Sequence, residues 1–244
     1  MWRITAFLKC SANSDRETFV SHLKDVWAPA IANQAGHKDV LIKLMINLPM
    51  DLTSTALEEV FPPHFDALVE LFYDDYNSAM QGLDSLSEPP ANARLEALVD
   101  QQASAVFLGE VRPKKPDELA ATGVRMTVAG HVVDGMAVED AQRYWNDVHP
   151  VVAQQAPETW NRLTLYTQVH GRKISGEGLA QWLGPYQFFP MCADMGASSI
   201  DEMLIAYGND QYMAIVRPDE QKFSKPEEML TFVTDRKVTV LDRG

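Results

Sequence analysis

Cysteine is scarce in this chain. The two present among 244 residues, Cys10 and Cys192, have no C-x-x-C spacing, which argues against a disulfide framework and against a zinc site. Basic residues are outnumbered, 21 Lys and Arg against 34 Asp and Glu, and no basic cluster offsets the net charge of −13. Phosphate backbones and anionic lipid surfaces are therefore repelled. No run of eighteen apolar residues occurs, and Met1 to Phe7 has no basic region leading into a long apolar core, so neither a membrane span nor a secretory leader is expected. Also missing are G-x-G-x-x-G, H-E-x-x-H, H-x-x-x-H and G-x-S-x-G, which removes local-motif support for nucleotide, flavin, metal or serine-nucleophile chemistry. These absences predict a cytoplasmic protein with no cofactor, no metal, no nucleic-acid partner and no membrane partner.

What is present is repetition. Residues 2–49 lie over residues 124–171 at a constant offset of 122, with Arg3 on Arg125, Thr5 on Thr127, Glu17 on Glu139, Asp25 on Asp147 and Leu41 on Leu163. Residues 65–107 fall on 200–242 at an offset of 135, placing Asp66 on Asp201 and Asp100 on Asp235. The chain reads as one fold written twice. The predicted division is a first repeat over 1–112, a linker over 113–122 holding Pro113-Lys114-Lys115-Pro116, and a second repeat over 123–244. The difference between the two offsets predicts an insertion at 172–198, 13 residues longer than its counterpart and rich in aromatics, as a lid or contact surface.

Within the second copy, Val124 to Val133 alternates as a strand does, with Met126, Val128 and Gly130 on one face and Arg125, Thr127, Ala129 and His131 on the other. Residues 137–153 place Ala141, Tyr144, Trp145, Val148 and Val152 at helical spacing, and Leu163 to Val169 resumes as a strand. Leu204 to Tyr207 reads as a third strand, a second helical region starts at Asn209-Asp210, and Lys237 to Leu241 reads as the last strand. The order β-α-β-β-α-β is the split, ferredoxin-like unit of class α+β, with both helices on one face of an antiparallel sheet. A second copy would cover the other face and enclose a cavity between the two sheets.

The run Tyr144-Trp145-Asn146-Asp147-Val148-His149-Pro150 resembles the aromatic-Trp-x-Asp-x-His-x-Pro signature of the EthD-like family. Here Pro150 follows the histidine at once, while the first copy, Leu23 to Pro29, has proline in the family's place and Trp27 where histidine would stand. The resemblance implies the dimeric α+β barrel fold, built here within one chain by the two repeats. It also implies a superfamily of cofactor-free polyketide cyclases, aromatic decarboxylases, monooxygenases that use no metal, and haem enzymes.

The candidate site is one-sided. Tyr166, Gln168 and His170 alternate along one face of the second strand of the second copy, where the first copy has Leu44, Ile46 and Leu48. Arg125, Thr127 and His131 are expected to face the same cavity. His149 is the sharpest proton carrier, because imidazole titrates near neutrality, although a histidine at a helix end beside proline can equally meet a free carbonyl. His131 and His170 are candidates for an acid and base pair. Tyr166 and Gln168 could donate to a phenolate or carbonyl oxygen, or be satisfied in the core. Arg125 suits a substrate carboxylate, or a structural ion pair, since Arg3 matches it. Tyr144, Trp182, Tyr186 and Phe189 complete the predicted substrate-binding set. Trp27 reads as core filling, and His22, His37 and His64 read as surface residues.

The leading expectation is a cofactor-independent lyase of decarboxylase type acting on an aromatic or phenolic carboxylic acid or polyketide-like compound, with the two-repeat chain itself forming a homodimer. A cofactor-free monooxygenase or cyclase using the same pocket is the alternative. A non-catalytic binding or assembly protein is the reading from another class.

Overall fold

The computed structural model describes residues 1–52, 64–88, 94–116, 123–174 and 182–243. The chain forms two units. The first comprises Met1–Glu110, Arg172–Phe188 and Arg236–Gly244; the second comprises Val111–Gly171 and Phe189–Asp235.

The first unit carries strands β1 (Trp2–Leu8), β2 (Leu41–Leu48), β3 (Ala67–Tyr73), the first part of β4 (Ala105–Lys115) and β9 (Arg236–Asp242), ordered β4-β1-β3-β2-β9 and antiparallel throughout. Direct pairing of Ile4 with Leu71 and Ala6 with Val69, and of these with Leu44 and Ile46, makes the centre of one face of the sheet aliphatic. Helix α1 (Arg16–His22), a π-turn (Leu23–Trp27), α2 (Ala28–Asn33), α3 (Ala35–Lys38) and α4 (Tyr76–Ser85) cover that face with Phe19, Leu23, Trp27, Ile31 and Leu83, all fully buried. Asp15 and Asp75 cap α1 and α4 by accepting from the backbone N–H groups of Thr18 and Ser78, as short polar side chains do at helix starts. Gly82 is required where α4 crosses Tyr73, because a Cβ there would lie 2.3 Å from the phenol oxygen.

The second unit repeats the arrangement with β5 (Val124–Gly130), β6 (Leu165–Gly171), β7 (Met191–Ala197) and β8 (Leu230–Thr234), ordered β8-β5-β7-β6. Its helices are α5 (Val138–Asp147), α6 (His149–Gln154), α7 (Pro157–Trp160), α8 (Ile200–Gly208) and α9 (Arg217–Glu220), with a π-turn at Tyr212–Val216 leading into α9. The expected α+β class and βαββαβ order are those of the structure. No helix among the described residues is long and apolar enough to cross a membrane.

Several sequence expectations differ from this. The third strand of the second unit is Met191–Ala197, not Leu204–Tyr207, which lies in α8. Matched strands β3 and β7 put Glu70 opposite Thr5 and Asp194 opposite Thr127, so the offset of 135 does not describe the second stretch, and the loops before β3 and β7 are almost equally long. No one-sided insertion of 13 residues exists at 172–198. Residues 172–174 and 182–188 pack in the first unit, 191–197 are β7, and 175–181 lie outside the described residues. Lys237 to Leu241 do form a strand, but β9 pairs with β2 at the edge of the first unit, and the last strand of the second unit is the shorter β8. In the predicted linker, residues 113–115 continue β4 and 117–122 lie outside the described residues. His37 is fully buried rather than a surface residue, with Nδ1 3.0 Å from the Tyr73 hydroxyl, while His64 is exposed.

Candidate active site

Proline makes the site's geometry. A helix running through 137–153 is broken because Pro150 has no N–H for the carbonyl four residues earlier, and its ring crowds that turn. The structure divides it into α5 and α6 at Val148, so that His149 opens the second piece. The carbonyls stranded at the break are taken up from outside the helix. The Gln168 side-chain amide donates to the Trp145 carbonyl at 2.6 Å, and Lys114 Nζ donates to the Asn146 carbonyl at 3.1 Å. His149 is thereby turned under the helix layer, only 5% exposed, between the rings of Phe223 and Tyr166.

Asp219, in the short helix α9, lies 2.9 Å through Oδ2 from His149 Nδ1. Its other oxygen accepts from Tyr144 Oη at 2.6 Å and Lys222 Nζ at 2.9 Å. Burial alone would raise this carboxyl's pKa, but the hydrogen bonds from His149, Tyr144 and Lys222 outweigh it and hold the group well below the usual carboxylate range. An ionised Asp219 can only accept, so Nδ1 carries a proton, and in the neutral ring Nε2 is the nitrogen with the lone pair.

His149 lines a cavity of about 220 Å³ set between the sheet and the helices of the second unit. Its floor is Met126 and Val128 of β5, Met191, Ala193 and Met195 of β7, and Tyr166 of β6; Trp145, Trp160, Tyr207, Tyr212 and Phe223 supply aromatic walls. Arg217 and Glu220 are its remaining charged members. Tyr166 Oη accepts two bonds, from Trp145 Nε1 and from the Gln168 amide, each at 3.0 Å. Its own proton is thus left to donate into the cavity. Burial raises the Tyr166 pKa, with the bonds from Gln168 and Trp145 opposing, so the group is a neutral donor.

The floor residues explain which expectations held together. Directly paired residues share a face, and the rows Met126–Met195–Tyr166, Val128–Ala193–Gln168 and Gly130–Met191–His170 all look towards the helices. Arg125 and Thr127 fall on the opposite face in the rows that include Gly196 and Asp194. Tyr166, Gln168 and His170 therefore share a face as expected, but it is the face towards the helices rather than the outer face expected from the sequence, and Arg125 and Thr127, which do lie on the face away from the helices, do not join them. Strands β5 and β6 are separated by β7, so their relative parity was not set by either strand's own alternation.

The other candidates are spread around the site. His170 is buried, stacks on Trp145 at 4.9 Å and meets Gln168 Oε1 at 3.1 Å, behind the wall of the cavity. Gln168 acts there too, by holding the Trp145 carbonyl. His131 is exposed past the end of β5, 5.5 Å from the ring of Phe189, and neither lines the cavity. Tyr144 is one step removed, a support for Asp219. Arg125 is buried on the far face of its sheet. Trp182 and Tyr186 belong to the first unit, where Trp182 packs 6.1 Å from Trp27 and Tyr186 donates to the Arg172 carbonyl at 2.6 Å. Asp219, Glu220, Tyr212 and Phe223 were not anticipated.

Haem, which the resemblance admits, finds half of what it needs. A histidine with Nδ1 tied to a carboxylate and Nε2 towards a cavity has the form of an axial ligand. The cavity, however, is smaller than the ~300–1,000 Å³ of sites for drug-sized ligands, and a tetrapyrrole is at least of that size, so the residues do not accommodate the macrocycle. Among the described residues no group of three or more His, Cys, Asp or Glu could hold a metal ion.

No family model matches the sequence, and no curated protein sequence matches it. Solved structures do. An anthrone oxidase-like protein superposes with a TM-score of 0.61 at 7% identity, over 100% of this chain and 94% of its own. A chlorite dismutase variant from Candidatus Nitrospira defluvii gives 0.52 at 10% identity, over 96% and 91%. A putative monooxygenase from Fusobacterium nucleatum gives 0.51 at 10% identity, over 96% and 90%. At such identities the likeness is one of fold, that of the dimeric α+β barrel proteins.

Proposed function

We propose that the protein is an enzyme that deprotonates a small aromatic or polyketide-like substrate in the second unit's cavity and lets the resulting anion react with dioxygen. The observation that carries this reading is the His149–Asp219 pair directed at an apolar, aromatic-walled cavity. Nε2 takes the proton from a phenolic hydroxyl or from a carbon flanked by rings, and ionised Asp219 stabilises the imidazolium that forms. Tyr166 donates to the substrate oxygen on which the negative charge gathers, where a fixed donor in a dry site counts for more than in water.

The conjugated anion is itself the electron source, so no bound organic cofactor is required. For a ring-flanked methylene the balance is complete: the carbon loses two hydrogens and gains one oxygen atom as a carbonyl, and the second oxygen atom leaves as water. The names of two structural neighbours, an anthrone oxidase-like protein and a putative monooxygenase, agree with this class. The decarboxylase expected from the sequence would draw on the same base, but its intended carboxylate anchor, Arg125, is not among the residues lining the cavity.

The experiment is to offer anthrones, naphthols and phenolic acids to the purified protein while following oxygen uptake and carbon dioxide release together. Oxygen consumption that His149→Ala abolishes supports the reading. Carbon dioxide release without oxygen uptake replaces it with the lyase, and turnover undiminished in His149→Ala removes His149 from either.

A further inference from the structure

Glu220 stands in the cavity as a charge with little to do in the reaction described. Tyr212 donates to its Oε2 at 2.8 Å, and Arg217 Nη1 lies 3.5 Å from the same oxygen. No hydrogen bond from the protein reaches Oε1 among the described residues. Arg217 is also the only cation lining the cavity among those residues, and its charge is already matched by Glu220. The second carboxylate, Asp219, is engaged by His149 and Lys222. The groups that interact with Glu220 are thus His149, Arg217 and the neutral phenols Tyr166, Tyr207 and Tyr212, and no positive charge among them is left over.

We infer that Glu220 makes this a site for uncharged aromatic substrates bearing a hydroxyl or keto oxygen, and that it excludes aromatic carboxylates. This rests on the proposed reading of the cavity as the substrate site and narrows its substrate class. A carboxylate entering here would be stripped of water and set against a like charge with no counter-ion, an arrangement by which sites reject wrong partners. A hydroxyl or keto oxygen carries no such penalty, because Tyr166 can donate to it. Burial raises the pKa of Glu220, while Tyr212, His149 and Arg217 pull the other way and favour its ionised form. An apolar cavity of ~150 Å³ suffices for benzene, so about 220 Å³ has room for a ring system slightly larger.

The test is a calorimetric titration of the whole protein with 1-naphthol and with 1-naphthoate, which differ in the charged group while keeping the same rings. The wild type should bind naphthol at least about tenfold more tightly. Glu220→Gln should narrow the ratio to within about threefold, mainly by improving naphthoate. Equal binding of the two by the wild type, a measurement that needs no variant, would overturn the inference while leaving the aromatic site intact, and so would an unchanged ratio in Glu220→Gln. Binding of neither compound would overturn the reading of the cavity as an aromatic site, and this inference with it.

Discussion

His149 and Asp219 are 70 positions apart in the chain, and their side chains meet at 2.9 Å. The carboxylate fixes which imidazole nitrogen carries the proton, and Tyr144 and Lys222 fix the carboxylate. Replacing Asp219 by Asn keeps the shape and removes the charge. With a neutral partner, nothing holds the tautomer or stabilises the imidazolium. Turnover of the responsive substrate in Asp219→Asn should fall by about 10²–10⁴-fold, the usual contribution of general-base catalysis. The affinity for 1-naphthol should change little, and steady-state kinetics beside calorimetry separates the two effects.

Tyr166 is predicted to serve both stability and turnover. In Tyr166→Phe the indole N–H of Trp145 and the amide of Gln168 lose their shared acceptor. A buried donor left unsatisfied costs about 1–3 kcal/mol, which urea denaturation would read as a lower midpoint with an unchanged slope. Loss of the donor to the substrate oxygen should lower kcat by about 10²-fold or more. Unchanged kcat with lowered stability would confine Tyr166 to a packing role.

Trp27 occupies, at the offset of 122, the position that His149 holds in the second unit, and it is fully buried in the aliphatic core of the first. Indole fills there what imidazole leaves open. His149→Trp should therefore close the cavity: 1-naphthol binding should vanish while thermal stability is retained. The reciprocal Trp27→Ala should cost about 3–5 kcal/mol, the range for removing a large buried aromatic. Naphthol binding that survives His149→Trp would mean that the ligand sits elsewhere.

The strands and the proline-disturbed helix were legible because alternation and helical spacing are local properties, and His149 was legible because it sits in a recognisable motif. Asp219 was not. The stretch Arg217-Pro218-Asp219-Glu220 reads locally as an ordinary helix start, with proline early and acids in the first turn, and only tertiary packing brings it to His149. Leu204 to Tyr207 misled because an apolar run of four fits a strand or a buried helix equally well, and Ser199, which accepts from the Glu202 N–H, was the cap that decides for helix. Arg125 was assigned to the cavity because alternation gives two faces per strand without saying which face of one strand joins which face of another.

A last prediction concerns pH and the first unit. Burial lowers the pKa of His37 to about 4, whereas an exposed histidine titrates near ~6.5. The folded value lies below the unfolded one, so the stability associated with neutral His37 is complete above about pH 6.5 and is lost as the pH falls towards 4. The loss is on the order of 3 kcal/mol when the whole interval has been crossed. His37→Gln cannot titrate. At pH 7.5 it should be the less stable protein, by about 1 kcal/mol, through its weakened contact with Tyr73. At pH 4.5 the order should reverse or the gap should close, since acidification of the carboxylates affects both proteins alike. Urea denaturation of the two at both pH values measures the difference directly, and a gap that stays constant would mean that His37 keeps one protonation state, folded and unfolded, across that range.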